Sequence, residues 1–231
     1  MEENIIQPTQ KQSFKIPLIV LIVNFILYSI LGYLMMANMT LEDFTNFMTI
    51  NPGGDRYTPE MIQKIFEQKQ LMSWASGIGT GFGRIGAMVV IGVVLFFGFN
   101  LASKRQNFKT IFKCLIYADV VVLVQSYFSW QTLDLGHLDC FYQASITPLS
   151  VLSLLNVCNL EPYMIGVLRY VSVFEVLYFG TLAYFLVKNI PDVPKSQVIR
   201  ITVYCYGIIL LISMIRDIIS LIASEKMASM M

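Results

Sequence analysis

Charge is what this 231-residue sequence has least of: only 13% of its residues are Asp, Glu, Lys or Arg, against about 25% in an ordinary soluble domain. A soluble domain with so little polar surface would not stay in solution. Basic and acidic residues nearly cancel, 16 against 15 for a net charge of +1, so no global field directs the chain to nucleic acid. Histidine occurs once and cysteine four times. Cys114, Cys140, Cys158 and Cys205 stand alone, without the short spacings of a zinc ribbon, and are too sparse for a disulfide scaffold. His137 and Cys140 together offer two of the three or four ligands a metal site requires, and a lone His in an exposed loop reads as solvated. H-E-x-x-H, G-x-S-x-G and Walker sequences are all missing, which leaves no motif for a zinc protease, a serine hydrolase or a P-loop enzyme. The expectation is therefore a non-enzymatic chain with no catalytic residues, no metal site and no cofactor. Composition likewise excludes a disordered or collagen-like chain.

What the sequence has in abundance is apolar residues, 56% of the total, with a mean hydropathy of +0.64. A bilayer core about 30 Å thick needs roughly 20 apolar residues in a helix rising 1.5 Å per residue. Five stretches meet this requirement, over residues 16–37, 78–101, 108–130, 163–187 and 201–223. The predicted fold class is all-α, a polytopic membrane bundle of five transmembrane helices. The first stretch is longer than the apolar core of a signal peptide and no small-x-small cleavage site follows it, so it is expected to be retained. Residues 1–15 form a short tail before it and 224–231 a short tail at the other end. The polar stretch 39–77 contains Asn51-Pro52-Gly53-Gly54-Asp55, a turn sequence. There Thr58 as N-cap and Pro59 in the first turn open a short amphipathic helix, read as interfacial or, alternatively, as a binding element. Pro191 and Pro194 stiffen the connection before the last span.

Lys and Arg divide unevenly between alternate loops. Lys11, Lys15, Lys104, Arg105, Lys109, Lys113, Lys188, Lys195 and Arg200 fall on one side; Arg56, Lys64, Lys69 and Lys226 fall on the other, and residues 131–162 carry none. The positive-inside rule then places the N-terminus in the cytoplasm and, with five spans, the C-terminus outside.

Ionisable residues inside the spans cost roughly 2.5–3.5 kcal/mol or more each, so each requires an account. Asp119 and Glu175 fall mid-span in the third and fourth stretches. Arg84, Arg169, Arg216 and Asp217 fall toward the outer side, and Ser172 offers a hydroxyl near Glu175. Three readings stay open for this intramembrane polar layer: mutual neutralisation that fixes helix register, a proton or ion path, and snorkelling of Arg169 and Arg216 to the interface. Residues 77–86 are rich in glycine, and Gly81, Gly83 and Gly86 match G-x-G-x-x-G in spacing. A membrane helix follows and no strand precedes, so phosphate binding is the poorer reading. Gly79, Gly83 and Ala87 recur at i, i+4 and i+8, and are expected to pack against another helix.

Three segments carry a family resemblance. Phe108-Lys-Thr-Ile-Phe-Lys-Cys-Leu-Ile-Tyr-Ala, Thr147-Pro-Leu-Ser-Val-Leu-Ser-Leu-Leu and Tyr170-Val-Ser-Val-Phe-Glu-Val-Leu resemble, in that order, the F-K-x-x-L-x-x-x-x-Y-A, N-P-L-S-L-x-S-L and S-x-D-L-F-x-x-W segments of the Yip (Ypt-interacting protein) domain membrane proteins. The resemblance spans roughly residues 15–223. Thr147 stands for the usual Asn, Ser172 for the Asp, with Glu175 one turn later, and Leu177 for the Trp. It implies five spans, a cytoplasmic N-terminus and a role in organising membranes or scaffolding partners. Eukaryotic members carry a long cytoplasmic tail and are linked to Rab-type GTPases. The tail here is short, as in bacterial members, so GTPase binding is not carried over. The implied location is the bacterial cytoplasmic membrane. The implied partners are the lipid bilayer and homo- or hetero-oligomers with other membrane proteins, not nucleic acid. The alternative is a transporter or channel for a small solute, ion or lipid, built on the buried charges.

Overall fold

The computed structural model describes residues 15–51, 54–102 and 104–229. Residues 1–14 of the expected tail, with Lys11, lie outside the described residues, as do Pro52 and Gly53 of the predicted turn, residues 230–231, and the side chains of 55, 145 and 224–229, including Lys226. Helices occupy Lys15–Ala37 (α1), Leu41–Ile50 (α2), Pro59–Leu71 (α3), Ser73–Leu101 (α4), Phe108–Thr132 (α5), Pro162–Leu168 (α6), Val173–Asn189 (α7) and Lys195–Ser229 (α8). Short 3-10 turns fill 135–159, and no strand occurs among the described residues.

Four helices, α1, α4, α5 and the Lys195–Ala223 part of α8, are long and apolar enough to cross a bilayer, the mark of an integral membrane protein. Large apolar side chains such as Ile16, Phe82, Val90, Phe97 and Ile212 stand exposed along them, as a helix facing lipid requires and a soluble domain avoids. The predicted bounds of α1 and α5 hold within two residues, while α4 begins five residues before the predicted 78 and α8 six before the predicted 201.

The fourth predicted span, 163–187, is not one helix. It is divided into α6 and the 17-residue α7, about 25 Å long at 1.5 Å per residue. The cause lies in the backbone at 169–173. There Val151 N–H donates to Val171 O at 2.9 Å and Val173 N–H donates to Leu149 O at 3.1 Å, forming an antiparallel bridge between Ser150 and Ser172. Groups that would have continued α6 are thereby spent on the preceding loop. Ser172 is extended and caps α7, accepting from Glu175 N–H at 3.1 Å. The sequence Ser172-Val173-Phe174-Glu175 is an S-x-x-E helix start, masked by the apolar run that continues on both sides.

The bundle core is formed by Leu95 and Phe99 of α4, Leu115 of α5, Leu182 and Leu186 of α7 and Val198 of α8, all buried. Between α1 and α4 the approach is closer. A Cβ added at Gly81 would lie 2.7 Å from Ser29 Oγ and 2.8 Å from the Phe25 ring, and one at Gly77 3.1 Å from Tyr33 N. This corrects the expected stripe. Cβ atoms built at Gly79 and Gly83 meet nothing within 4 Å, and both residues are exposed, with Ala87 half-buried. Two interleaved small-xxx-small stripes exist on α4, about 200° apart at 3.6 residues per turn, and spacing alone does not say which one faces α1.

Outside the bundle, Thr40 and Asp43 cap α2 reciprocally, each bond 3.1 Å. Thr58 caps α3 as expected. Phe44 and Met48 of α2 bury Ile62 of α3, so the amphipathic helix packs on a neighbouring helix. Gln70 Nε2 donates to Met36 O and Met39 O at 3.2 and 3.1 Å, tying the end of α3 to the end of α1.

The loop 133–161 also differs from expectation. Cys140 and Cys158, read as isolated, form a disulfide with Cα atoms 5.8 Å apart. The intervening 3-10 turns fold the chain back on itself, and a separation of 18 residues is too long for local spacing to announce. Cys114 and Cys205 are free and buried. Leu152, Val157, Ile165 and Leu221 form a small core under this cap.

Candidate functional site

The polar residues predicted within the spans separate into two layers. In the inner one, α5 places Asp119 with its side chain fully buried, and α4 brings Arg84 to it, Nε donating to Oδ1 at 2.5 Å. α1 closes the third side: Tyr28 Oη donates to Asp119 O at 3.3 Å and Asn24 Nδ2 to Ile116 O at 3.4 Å. The Arg84 guanidinium lies 5.8 Å from the centroid of the Tyr178 ring, within cation–π range. Tyr178 in turn packs on Tyr206, with ring centroids 5.6 Å apart, and the Tyr206 hydroxyl donates to Glu175 Oε1. A chain of contacts, polar at both ends and aromatic in the middle, thus runs Asp119, Arg84, Tyr178, Tyr206, Glu175 through α5, α4, α7 and α8. Because α6 and α7 are separate, Glu175 sits in the first turn of α7. The helix dipole favours a carboxylate there, whereas the interior of a continuous span would not.

Asp217 on α8 centres the outer layer. Its Oδ2 accepts from Tyr170 Oη at 2.8 Å and pairs with Arg169 Nη1 at 3.1 Å, while its Oδ1 accepts from Arg216 Nη2 at 2.8 Å. The Arg216 side chain is 74% exposed, as a snorkelling arginine would be. Ser172 caps α7 through its hydroxyl. Of the three arginines expected in the spans, Arg84 takes Asp119, while Arg169 and Arg216 take Asp217. The partner of Glu175 is a tyrosine.

Sequence reasoning missed Asn24, Tyr28, Tyr178 and Tyr206. A signal existed for the first two: a pair of hydrogen-bonding residues at i and i+4 within the otherwise apolar α1 share one face, and both are buried. Tyrosine gives a weaker signal, because tyrosines also belong at membrane interfaces.

Among the described residues, Ser29 Oγ, Arg84 Nη2, Asp119 Oδ2 and Tyr178 Oη are buried side-chain atoms with no hydrogen-bond partner. Each costs about 1–3 kcal/mol of desolvation, and three of the four belong to the inner chain. Comparison with protein-family models, with curated proteins and with solved structures gives no match.

Proposed function

We propose that this chain is a five-pass, non-enzymatic membrane protein that organises the bilayer or scaffolds other membrane proteins, as its resemblance to the Yip domain family implies. In this reading α6 and α7 together make the fourth pass. The observation that carries it is that each midplane carboxylate is already matched: Asp119 by Arg84 and Glu175 by Tyr206. A buried ion pair and a buried hydrogen bond to a carboxylate specify which helices meet and in what register. Homo- or hetero-oligomers are the proposed partners.

The proposed orientation has the N-terminus in the cytoplasm of a bacterial cell and the C-terminus outside. Disulfides persist in oxidising compartments. The bridged pair lies in the loop that the charge asymmetry puts outside, and the free Cys114 and Cys205 lie toward the opposite ends of their helices, which supports this orientation. Arg105→Cys and Gln63→Cys, each introduced separately, are expected to react with an impermeant maleimide from opposite faces of membrane vesicles. Labelling of both from one face would refute the topology.

A second reading, a proton-coupled transporter for a small solute, ion or lipid, is favoured by the unpartnered polar atoms around Arg84 and Tyr178. Reconstitution separates the two. A scaffold in proteoliposomes shows no proton flux above protein-free vesicles under a pH gradient, and Glu175→Gln alters only its stability. Flux that disappears in a folded Glu175→Gln variant would overturn the scaffold reading.

A further inference from the structure

On the face that carries the disulfide, the ends of α1 and α5 and the break before α7 line an open cavity of about 650 Å³. Its volume lies within the range of small-molecule sites, roughly 300–1,000 Å³. Its wall holds one cation and one anion, Arg169 from the break and Asp134 from the turn after α5, with Thr147 and Ser153 among the lining residues. Arg169 gives one N–H to Asp217, out of the five a guanidinium carries. Asp134 is exposed and accepts from His137 Nδ1 at 3.0 Å and Gly136 N–H at 3.2 Å. The histidine bond holds its carboxyl below the usual range, so it is an anion at neutral pH.

A second cavity of about 440 Å³ adjoins this one, sharing Leu149 and Ser153 in its wall. Its chemistry is different: Leu154, Val171, Val173 and Val176 line it, with no charged residue. Leu154 is 83% and Val176 71% exposed, so the groove opens along the bundle surface that meets acyl chains in a membrane. A charged chamber at the ends of the helices therefore leads into an apolar groove beside α7.

We propose that this pair of cavities binds a zwitterionic phospholipid, a phosphatidylethanolamine of the outer leaflet, with its phosphate on Arg169, its ammonium on Asp134 and an acyl chain in the groove. Charge complementarity selects this occupant. An anionic headgroup would satisfy Arg169 and be repelled by Asp134. A choline headgroup carries the charge and lacks the N–H donors that Asp134 would accept. The proposal rests on the bilayer placement given above, but not on the choice between scaffold and transporter.

The test is lipid binding to the delipidated full chain in detergent, read by native mass spectrometry, with dioleoyl lipids differing only in headgroup. Phosphatidylethanolamine is expected to bind about tenfold tighter than phosphatidylcholine or phosphatidylglycerol, the factor that one good polar contact supplies at 1.4 kcal/mol. Asp134→Asn retains an oxygen acceptor for Gly136 and is expected to abolish the preference over phosphatidylcholine, while Arg169→Gln weakens both zwitterionic lipids about tenfold. Arg169 also supports Asp217, so Val176→Trp, on the exposed groove wall, provides an independent check. It should weaken all three lipids. Equal binding of the three headgroups, or an Asp134→Asn variant with the wild-type preference, would overturn the proposal. So would free phosphoethanolamine competing as well as the lipid, because the groove would then contribute nothing. The maleimide experiment fails separately if the bilayer placement itself is wrong.

Discussion

Arg84→Met should destabilise the bundle by about 3–5 kcal/mol, the usual cost of leaving one member of a buried ion pair without its partner. The Asp119 side chain is fully buried and that of Arg84 is 19% exposed, so solvent does little to screen the loss. The remaining carboxylate would keep contact with α1 only through neighbouring backbone bonds, because Tyr28 and Asn24 donate to the carbonyls of residues 119 and 116 and not to the carboxylate. The double variant Arg84→Met with Asp119→Leu removes both charges and is expected to recover most of the stability, since well-packed apolar replacements of buried pairs are often neutral or better. Reversible unfolding in mixed micelles, run as a double-mutant cycle, measures this. A single variant as stable as the wild type would mean that the pair does not hold α4 to α5.

Gly77→Leu is the second large effect, expected to cost about 1–3 kcal/mol by overpacking, or more where backbone must move. The neighbours of a Cβ at Gly77 include backbone atoms of α1, with Tyr33 N at 3.1 Å, and no rotamer change relieves a backbone contact. Gly81→Leu should be milder, because Phe25 and the Ser29 hydroxyl are side-chain atoms that can shift. Gly83→Leu, which the expected stripe would have made damaging, is expected to leave the folded chain within about 0.5 kcal/mol of wild type, as surface substitutions do. The same unfolding assay ranks the three. Gly83→Leu costing as much as Gly77→Leu would show that the face of α4 bearing Gly79 and Gly83 is packed after all.

The contrast between these glycines shows how far the sequence could be read. Hydropathy and length located α1 and α5 within two residues and α4 and α8 within six, because a bilayer fixes how many apolar residues a helix must present. The same criterion ran α6 and α7 together. Nothing in residues 163–187 is a proline, and the break depends on hydrogen bonds to residues 149–151, far back in the chain, where hydropathy carries no information. Asp119, Glu175, Arg84 and the outer trio could be singled out because charges in spans are expensive. Their pairing depends on helix rotation, which one sequence does not encode in a readable form. The disulfide was hidden for the same reason, since its two ends meet only after the cap has folded.

The two backbone bonds joining residues 149–151 to 171–173 give the disulfide-bridged cap and α7 a mechanical relation. The cap is cross-linked within itself by Cys140–Cys158 and fastened, at residues midway between those cysteines, to the start of α7. Three residues beyond that fastening stands Glu175, joined to Tyr206 on α8. A displacement of this cap is therefore passed directly to the first turn of α7. That turn carries the hydroxyl–carboxylate contact between α7 and α8, and it stands ahead of the buried leucines further along the helix.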